Sequence, residues 1–139
     1  MMPLDFPAQA RAQPPRSANA IAPAASGASR WLERIAVRSV GRIAIVPVAA
    51  IVRFEAEDNY VRLYADRMYL HKEALTRLVG RLDPACFLRV HRSHAVNLRC
   101  VRELHRLLHG EYRIVLADGG SIASGRSYTD AVRGAFGLL

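Results

Sequence analysis

Short runs of apolar residues, separated by turn-forming residues, fill the chain from residue 31 onward. The first run covers residues 35–40, and a turn at Gly41 leads into a second run over residues 43–46. Pro47 ends the second run because proline has no N–H to donate to a β-ladder. The pattern therefore predicts two short β-strands joined by a turn.

The middle and later parts of the chain repeat this order of strand, turn and strand. Runs over residues 51–55 and 60–64 flank the polar residues Glu57, Asp58 and Asn59. Aspartate and asparagine favour turns because they hydrogen-bond their own backbone and tolerate left-handed φ angles, so this segment predicts a β-hairpin. Further strands, each next to a turn signal, are predicted over residues 68–71, 104–108, 112–116 and 121–123.

Two segments have helical spacing instead. From Leu75 to Leu82, apolar residues recur at i, i+3, i+4 and i+7, which predicts one amphipathic helix that ends at Asp83-Pro84, with Gly80 inside it. Residues 127–136 begin with a serine suited to an N-cap and continue with a weak amphipathic pattern. They predict a short C-terminal helix.

The stretch FLRVHRSHAVN, Phe87 to Asn97, combines the apolar character of a strand with a high density of hydrogen-bond donors. We interpret it as one strand with a buried side. Donors this dense on an extended backbone suit a protein that holds a polyanion and reads base edges. The donor side chains are those of Arg89, His91, Arg92, Ser93, His94 and Asn97.

Together these elements predict a mostly β fold with short antiparallel strands, one amphipathic helix and a short C-terminal helix. No predicted helix carries a basic recognition face, which argues against a helix-turn-helix protein. If the chain binds duplex DNA, loops and strands must do so. Residues 1–29 are rich in Ala, Pro and Ser without a sustained apolar period, so we predict a disordered N-terminal tail followed by a folded domain over 30–139.

The charge balance points to an anionic partner. The chain of 139 residues has a formal net charge of +8, which favours nucleic acid, an anionic membrane or acidic proteins. However, nineteen of the twenty basic residues are arginine, as a GC-rich genome would also produce. Charge alone therefore leaves nucleic-acid binding as one interpretation among several.

The sequence shows no transmembrane helix, signal peptide or disulfide framework, and these features decide the expected compartment. No window approaches the eighteen or so uninterrupted apolar residues of a transmembrane helix, and the first residues have no apolar signal-peptide region. The two cysteines imply no disulfide framework. We expect a cytoplasmic protein.

Three co-linear segments resemble the LytTR (LytR/AlgR-type) DNA-binding domain of bacterial transcription regulators. They are VPVAAIVRFEAEDNYVRLY (Val46 to Tyr64), FLRVHRSHAVNLRCVREL (Phe87 to Leu104) and YRIVLADGGSIASGRSY (Tyr112 to Tyr128). The sequence departs from the family pattern at His94, where an apolar or aromatic residue is common, and at Gly125, where a bulkier residue is common. The matched segments span nearly all of the predicted domain.

The resemblance implies about ten strands in stacked antiparallel sheets, with loops from one edge entering successive major grooves of duplex DNA. It also implies that Asn59, Tyr60, Arg92, Ser93 and Arg126 bind DNA. These residue types suit the task, because an arginine can donate to guanine O6 and N7 and an asparagine can pair with adenine. Glu57 and Asp58 place negative charge near the DNA, where they repel phosphate, accept from cytosine N4 or shape the turn.

Several of these residues also have a purely structural interpretation. We expect His91 and Asn97 to support the backbone, and Tyr60 to be half-buried in cross-strand packing. Solvated surface arginines are the simplest interpretation of Arg62 and Arg89, with contacts along a phosphate path as the alternative. The same pair of interpretations applies to Arg99 and Arg102.

Other classes of function are less well supported. Cys86, His91, His94 and Cys100 are zinc-ligand types, but alternation along a single strand would place the two histidines on opposite faces. A membrane-surface or basic protein-interaction module remains open, although no amphipathic basic helix supports the former. A non-sequence-specific or single-stranded nucleic-acid binder also remains open, but stacking needs exposed aromatics and only 7% of residues are aromatic.

The prediction is therefore a non-enzymatic, sequence-specific DNA-binding transcription regulator. We expect no cofactor, metal, catalytic residue or small-molecule substrate. The expected partners are double-stranded DNA, a second copy of the chain on repeated half-sites, and an upstream regulatory or membrane sensor protein, because no receiver domain is visible in this sequence.

Overall fold

The computed structural model describes residues 30–138. The predicted tail, residues 1–29, lies outside this range. Within the described part of the chain, no helix is long and apolar enough to cross a membrane.

Ten β-strands and two short α-helices form the described structure, which confirms the predicted mostly β fold. The strands are β1 (Arg34–Ser39), β2 (Arg42–Pro47), β3 (Arg53–Glu57), β4 (Tyr60–Tyr64), β5 (Met68–Lys72), β6 (Phe87–His91), β7 (His94–Asn97), β8 (Val101–Arg106), β9 (Tyr112–Leu116) and β10 (Ser121–Ala123). The helices are α1 (Leu75–Val79) and α2 (Thr129–Ala135), and three 3₁₀ turns cover Val48–Ala50, Leu98–Cys100 and Arg126–Tyr128.

The strands form three antiparallel sheets. Strands β1 and β2 make a two-stranded hairpin, and β8, β9 and β10 make a three-stranded meander. Between them in chain order lies a five-stranded sheet with the order β5-β4-β3-β7-β6. Strand β7 is central to this sheet, because it pairs with β3 on one side and with β6 on the other.

Two hydrophobic clusters hold the sheets together. The first contains Ile35 of β1, Phe54 of β3 and Leu78 of α1, and the second contains Val96 of β7 and Ile114 of β9. Strand β7 contributes to both clusters, because its neighbouring residues Ala95 and Val96 point to opposite faces, as alternation in a strand requires. The five-stranded sheet is therefore covered on both sides, as the prediction of stacked sheets requires.

The prediction of one strand over residues 87–97 is wrong. The chain reverses at Arg92 and Ser93, so the segment is a hairpin of β6 and β7 with a bulge between Arg89 and His91. The turn lacks the Gly, Pro, Asn or Asp that marks most turns, so the apolar pattern runs on across it. As a consequence His91 and His94 are cross-strand partners with ring centroids 5.3 Å apart, not residues on opposite faces.

Both helices also differ in detail from the prediction. Helix α1 ends at Val79, and Gly80 is its C-cap residue rather than an interior residue. Leu82 is still buried, but it lies in the turn that follows the helix. At the C-terminus Ser127 lies in a 3₁₀ turn, and no side chain caps α2.

Asn97 connects the end of β7 to the chain before β3, as its predicted supporting role requires. The side chain is 3% exposed. Its Nδ2 donates to the Ile51 carbonyl at 2.9 Å, and its Oδ1 accepts from the Arg99 N–H at 3.0 Å. The buried Ile51 carbonyl and the part-buried Arg99 N–H therefore depend on one amide side chain.

Replacement of Asn97 by alanine should lower the free energy of unfolding by about 1–3 kcal/mol, because both backbone groups lose their partner and the Ile51 carbonyl is buried. Urea denaturation followed by circular dichroism measures this change. The matched control is Asn59→Ala, which alters the same residue type at an exposed turn position and should change stability by less than about 0.5 kcal/mol. Equal effects of the two substitutions would contradict the assigned role of Asn97.

Candidate nucleic-acid interface

Three turns meet at one edge of the molecule, which we call the loop edge. They are the β3–β4 turn at Asp58 and Asn59, the β6–β7 turn at Arg92 and Ser93, and the 3₁₀ turn Arg126–Tyr128. Two backbone hydrogen bonds join them. The Ala56 N–H donates to the Ser93 carbonyl at 2.8 Å, and the Gly125 N–H donates to the Val90 carbonyl at 2.8 Å.

The structure therefore brings the five predicted site residues to the same edge. Ser93 lies beside β3 just before the β3–β4 turn, so Asn59 and Tyr60 follow it closely along the edge. On the other side, Arg126 comes directly after Gly125, which is bonded to β6 just before Arg92. The β6–β7 turn thus lies between the other two.

The β3–β4 turn is tight and polar. Asp58 has a φ of 55°, a left-handed conformation that aspartate tolerates better than most residues. Asn59 is exposed, and none of its side-chain atoms has a hydrogen-bond partner among the described residues. Tyr60 is 39% exposed and lines a groove with Ser39 and Leu70, so it is more open than the predicted half-buried packing.

Neighbouring cations compensate most of the negative charge near this turn. Glu57 forms an ion pair with Arg62, which replaces the predicted solvated state of that arginine. Glu55 lies deeper, where burial acts to raise its pKa. The hydrogen bond from the Tyr64 hydroxyl, at 2.9 Å, and the nearby charges of Arg53, Arg62 and His94 outweigh burial and leave that pKa lowered.

The side chains of Arg89 and His91 hydrogen-bond the backbone of the β6–β7 turn. The Arg89 guanidinium donates through Nε to the His91 carbonyl at 2.9 Å, through Nη1 to Thr76 Oγ1 at 3.2 Å, and through Nη2 to the Arg92 carbonyl. The His91 Nδ1 accepts from the Ser93 N–H at 3.0 Å, as its predicted role in holding the backbone requires. The backbone of this turn is therefore fixed from two sides.

The sequence does not show that Arg89 holds the backbone of this turn, since it predicts a solvated or phosphate-facing arginine. Its partners are two main-chain carbonyls and a hydroxyl thirteen residues away, on α1. No local pattern signals such contacts. Arg92, by contrast, is exposed, and its guanidinium has no hydrogen-bond or ion-pair partner within residues 30–138.

Arg126 extends from the 3₁₀ turn with 79% of its side chain exposed. Its Nε lies 3.6 Å from Oε2 of Glu111, on the β8–β9 connection. No other partner of this guanidinium is present in the described structure, so Nη1 and Nη2 form an open pair of donors. This arrangement leaves the end of the guanidinium able to bind a planar acceptor pair.

Gly125 lets this turn pack against β6. A Cβ atom at this position would lie 3.3 Å from both the His91 and the Tyr128 rings. The family's usual bulkier residue would therefore require those rings to move. The close approach allows the Gly125 N–H to bond the Val90 carbonyl, which sets the position of Arg126 relative to Arg92.

His94 is the other departure from the family pattern, and it lies half-buried behind the turn. Its Nδ1 is buried and has no hydrogen-bond partner among residues 30–138. Burial lowers the pKa of His94, and the nearby charges of His91 and Arg53 act in the same direction against the opposing effect of Glu55. The imidazole therefore holds a proton less readily than an exposed histidine does, so it adds less positive charge to the loop edge.

The described residues contain no group of three or more His, Cys, Asp or Glu side chains placed to hold a metal ion. Cys86 and Cys100 are free thiols. The spacing of Cys86, His91, His94 and Cys100 thus corresponds to no metal centre in this part of the chain, although the two histidines do lie together.

Known proteins with similar sequences are transcription regulators. The transcriptional regulatory protein LytR of Staphylococcus aureus strain MW2 is 34% identical over 71 residues, which are 51% of this chain and 29% of LytR. The heme-containing CO-sensing transcriptional regulator RcoM 2 of Paraburkholderia xenovorans strain LB400 is 38% identical over 81 residues, 58% of this chain and 30% of RcoM 2. The matched region thus spans less than a third of either relative.

A solved LytTr DNA-binding domain from Bacillus cereus has the same fold, with a TM-score of 0.70 over 76% of this chain and 98% of that domain. Its sequence is 21% identical, so this similarity concerns the fold alone. The sequence profile of the LytTr DNA-binding domain matches residues 41–137, which include all three turns of the loop edge. The chain belongs to the LytTr DNA-binding domain family, a family of DNA-binding domains of transcription regulators and not of enzymes.

Proposed function

We propose that this chain binds double-stranded DNA in a sequence-specific manner through the loop edge. The observation that carries the proposal is the joining of three turns by the Ala56–Ser93 and Gly125–Val90 hydrogen bonds. Each turn presents one polar side chain that has no partner, or has open donors, within the described part of the chain: Asn59, Arg92 and Arg126. Residues far apart in sequence thus form one polar surface.

The chemistry of each side chain suggests a distinct role. The open Nη1 and Nη2 of Arg126 suit guanine O6 and N7, and the free amide of Asn59 suits adenine N6 and N7. Arg92 and the Ser93 hydroxyl suit phosphate oxygens or the groove floor, which would set the orientation of the domain on the duplex. Tyr60 borders the same edge and adds contact area there.

The acidic residues of the β3–β4 turn are compatible with this proposal. Glu57 is paired with Arg62, and the left-handed φ of Asp58 favours a role in shaping the turn. Repulsion of phosphate is therefore smaller than the sequence alone suggests. Asp58 remains the one carboxylate at the tip that could accept from cytosine N4.

Single-stranded nucleic acid is a weaker candidate ligand. Binding of that kind stacks successive bases on exposed aromatic side chains. Among the Phe, Tyr and Trp side chains of the described residues, Tyr60 is the one with more than about a third of its surface exposed. One ring cannot form a stacking track, whereas three adjacent turns suit successive grooves of a duplex.

The small size of the loop edge suggests that two copies bind repeated half-sites about one helical turn apart. Chromosomal DNA as the ligand implies a cytoplasmic protein. Control of binding would come from an upstream regulatory or membrane sensor protein. The second copy, the cytoplasmic location and the upstream protein are parts of the proposal that go beyond this single domain.

Arg126→Ala should remove discrimination at one base position, costing about 1–3 kcal/mol for the preferred base and little for the others. Selection of bound sequences from random duplex DNA, followed by affinity measurement on the selected sites, tests this. Arg99→Ala is the matched control, because Arg99 is exposed at the opposite end of β7 from Ser93. If the Arg126 variant selects the same sites with unchanged affinity, Arg126 does not read a base.

Arg92→Ala should instead weaken binding to all sequences to a similar extent, because a phosphate contact carries no base information. The logarithm of the association constant should fall linearly with the logarithm of salt concentration, and this substitution should reduce the slope by about 1. Fluorescence anisotropy of labelled duplexes at several salt concentrations measures both effects. Binding that does not depend on salt would argue against a DNA backbone interface.

A further inference from the structure

Strand β2 exposes apolar side chains on the outer face of the β1–β2 hairpin. Ile43 and Ile45 are 56% and 58% exposed, and Val40 at the tip of the hairpin is fully exposed. The inner face of the same hairpin is already buried through Ile35 and Val46. The outer isoleucines are therefore not part of the core, and clustered exposed apolar residues of this kind mark interaction sites.

The backbone of β2 is open along the same residues. Within residues 30–138, β2 pairs with β1 alone. The hairpin closes at the Ser39–Arg42 pair, and hydrogen-bonding alternates along an antiparallel ladder. The N–H and C=O groups of Ile43 and Ile45 therefore point away from β1, toward solvent.

Edge strands normally carry charged residues, bulges or prolines that prevent pairing with another chain. On β2 these features stand only at the two ends, as Arg42 and Pro47, and the four residues between them are Ile43, Ala44, Ile45 and Val46. An extended segment could add to this edge by backbone hydrogen bonds, with its side chains packed beside the isoleucines.

The charge of the hairpin determines which segment fits. Arg38 is the cross-strand partner of Ile43, and Arg34 is that of Pro47, so both arginines lie on the outer face with the isoleucines. Both are exposed and unpaired among the described residues. No Asp or Glu occurs from residue 34 to residue 54, and the nearest acid before this stretch is Glu33.

We propose that the β2 edge binds an extended, acidic and β-prone segment of a partner protein as an added strand. Acidic side chains on that strand would lie two strand spacings, about 10 Å, from β1, within reach of the long side chains of Arg34 and Arg38. Ile43 and Ile45 would make apolar contacts with the added strand. Ile43 and Ile45 are not among the DNA contacts proposed for the loop edge, whereas Arg38 lines a groove with Tyr60.

Other occupants fit the charge less well. A second copy of the chain would add its own β2, whose residues 42–47 contain Arg42 and no acid, so it offers no carboxylate to Arg34 and Arg38. Residues 1–29 contain one acid, Asp5, and two arginines, so they offer no negative charge in excess. A DNA backbone offers phosphates to the arginines but no apolar surface to Ile43 and Ile45.

The test is an NMR titration of the isotope-labelled full chain with a synthetic Glu–Val peptide, in which Glu and Val alternate along one face of the strand and Thr occupies the other face. The expected result is that the largest amide shifts occur at Ile43 and Ile45. A peptide with Lys in place of Glu should bind about tenfold more weakly, because its charge repels the arginines. A Glu–Val peptide methylated on the backbone nitrogens of one edge should lose affinity similarly, because it cannot complete the ladder.

Substitutions in the protein test whether the exposed isoleucines of β2 bind the peptide. The double substitution Ile43→Thr and Ile45→Thr keeps β-branched residues at exposed positions, so the hairpin should fold. It should weaken binding of the Glu–Val peptide about tenfold and leave DNA affinity unchanged. The matched control is Leu108→Thr, which removes an exposed apolar side chain from the β8–β9 connection and should not affect peptide binding.

Four results would overturn the proposal: no shifts at Ile43 and Ile45, equal affinity for the Glu and Lys peptides, equal peptide affinity of the double variant and the native chain, or a loss of DNA affinity in the double variant. Sedimentation provides a further check. A dimer of the native chain that disappears in the double variant would show that a second copy covers this edge instead.

Discussion

Strand β7 pairs on both edges and buries side chains on both faces, and this constraint positions the rest of the molecule. Ala95 packs into the cluster that also contains Phe54, whereas Val96 packs against the three-stranded meander. A slip of one residue in its register would exchange these two faces, so the register is strongly specified. That register places the Ser93 carbonyl at the Ala56 N–H and so brings two turns of the loop edge together.

Partly buried side chains and one glycine determine the shape of the loop edge. Arg89 ties the β6–β7 turn to α1, and His91 holds the Ser93 N–H. The absence of a side chain at Gly125 lets the third turn approach β6. The groups available for a ligand, such as Arg92, therefore extend from a backbone that is already ordered, which reduces the entropy lost on binding.

The fold class followed from the sequence because each strand has its own alternating apolar residues and most turns have their own signal. The Asp58-Asn59 turn is of this kind, and the predicted hairpin is present. The β6–β7 turn is not, since Ser93 is its one residue with a turn preference and the apolar pattern continues on both sides of it. The resemblance still identified Arg92 and Ser93 as site candidates, although the strand interpretation around them was wrong.

Local sequence was thus sufficient for the fold class, the family and most of the strands, because periodicity and turn chemistry are properties of neighbouring residues, but it did not show that residues 87–97 form a hairpin. Tertiary structure decided the contacts between distant residues: the bond from Arg89 to Thr76, the pairing of Glu111 with Arg126, and the burial that lowers the pKa of His94. It also decided which apolar strand residues stayed outside the core, as on β2. Each depends on which elements pack together, which no short window of sequence specifies.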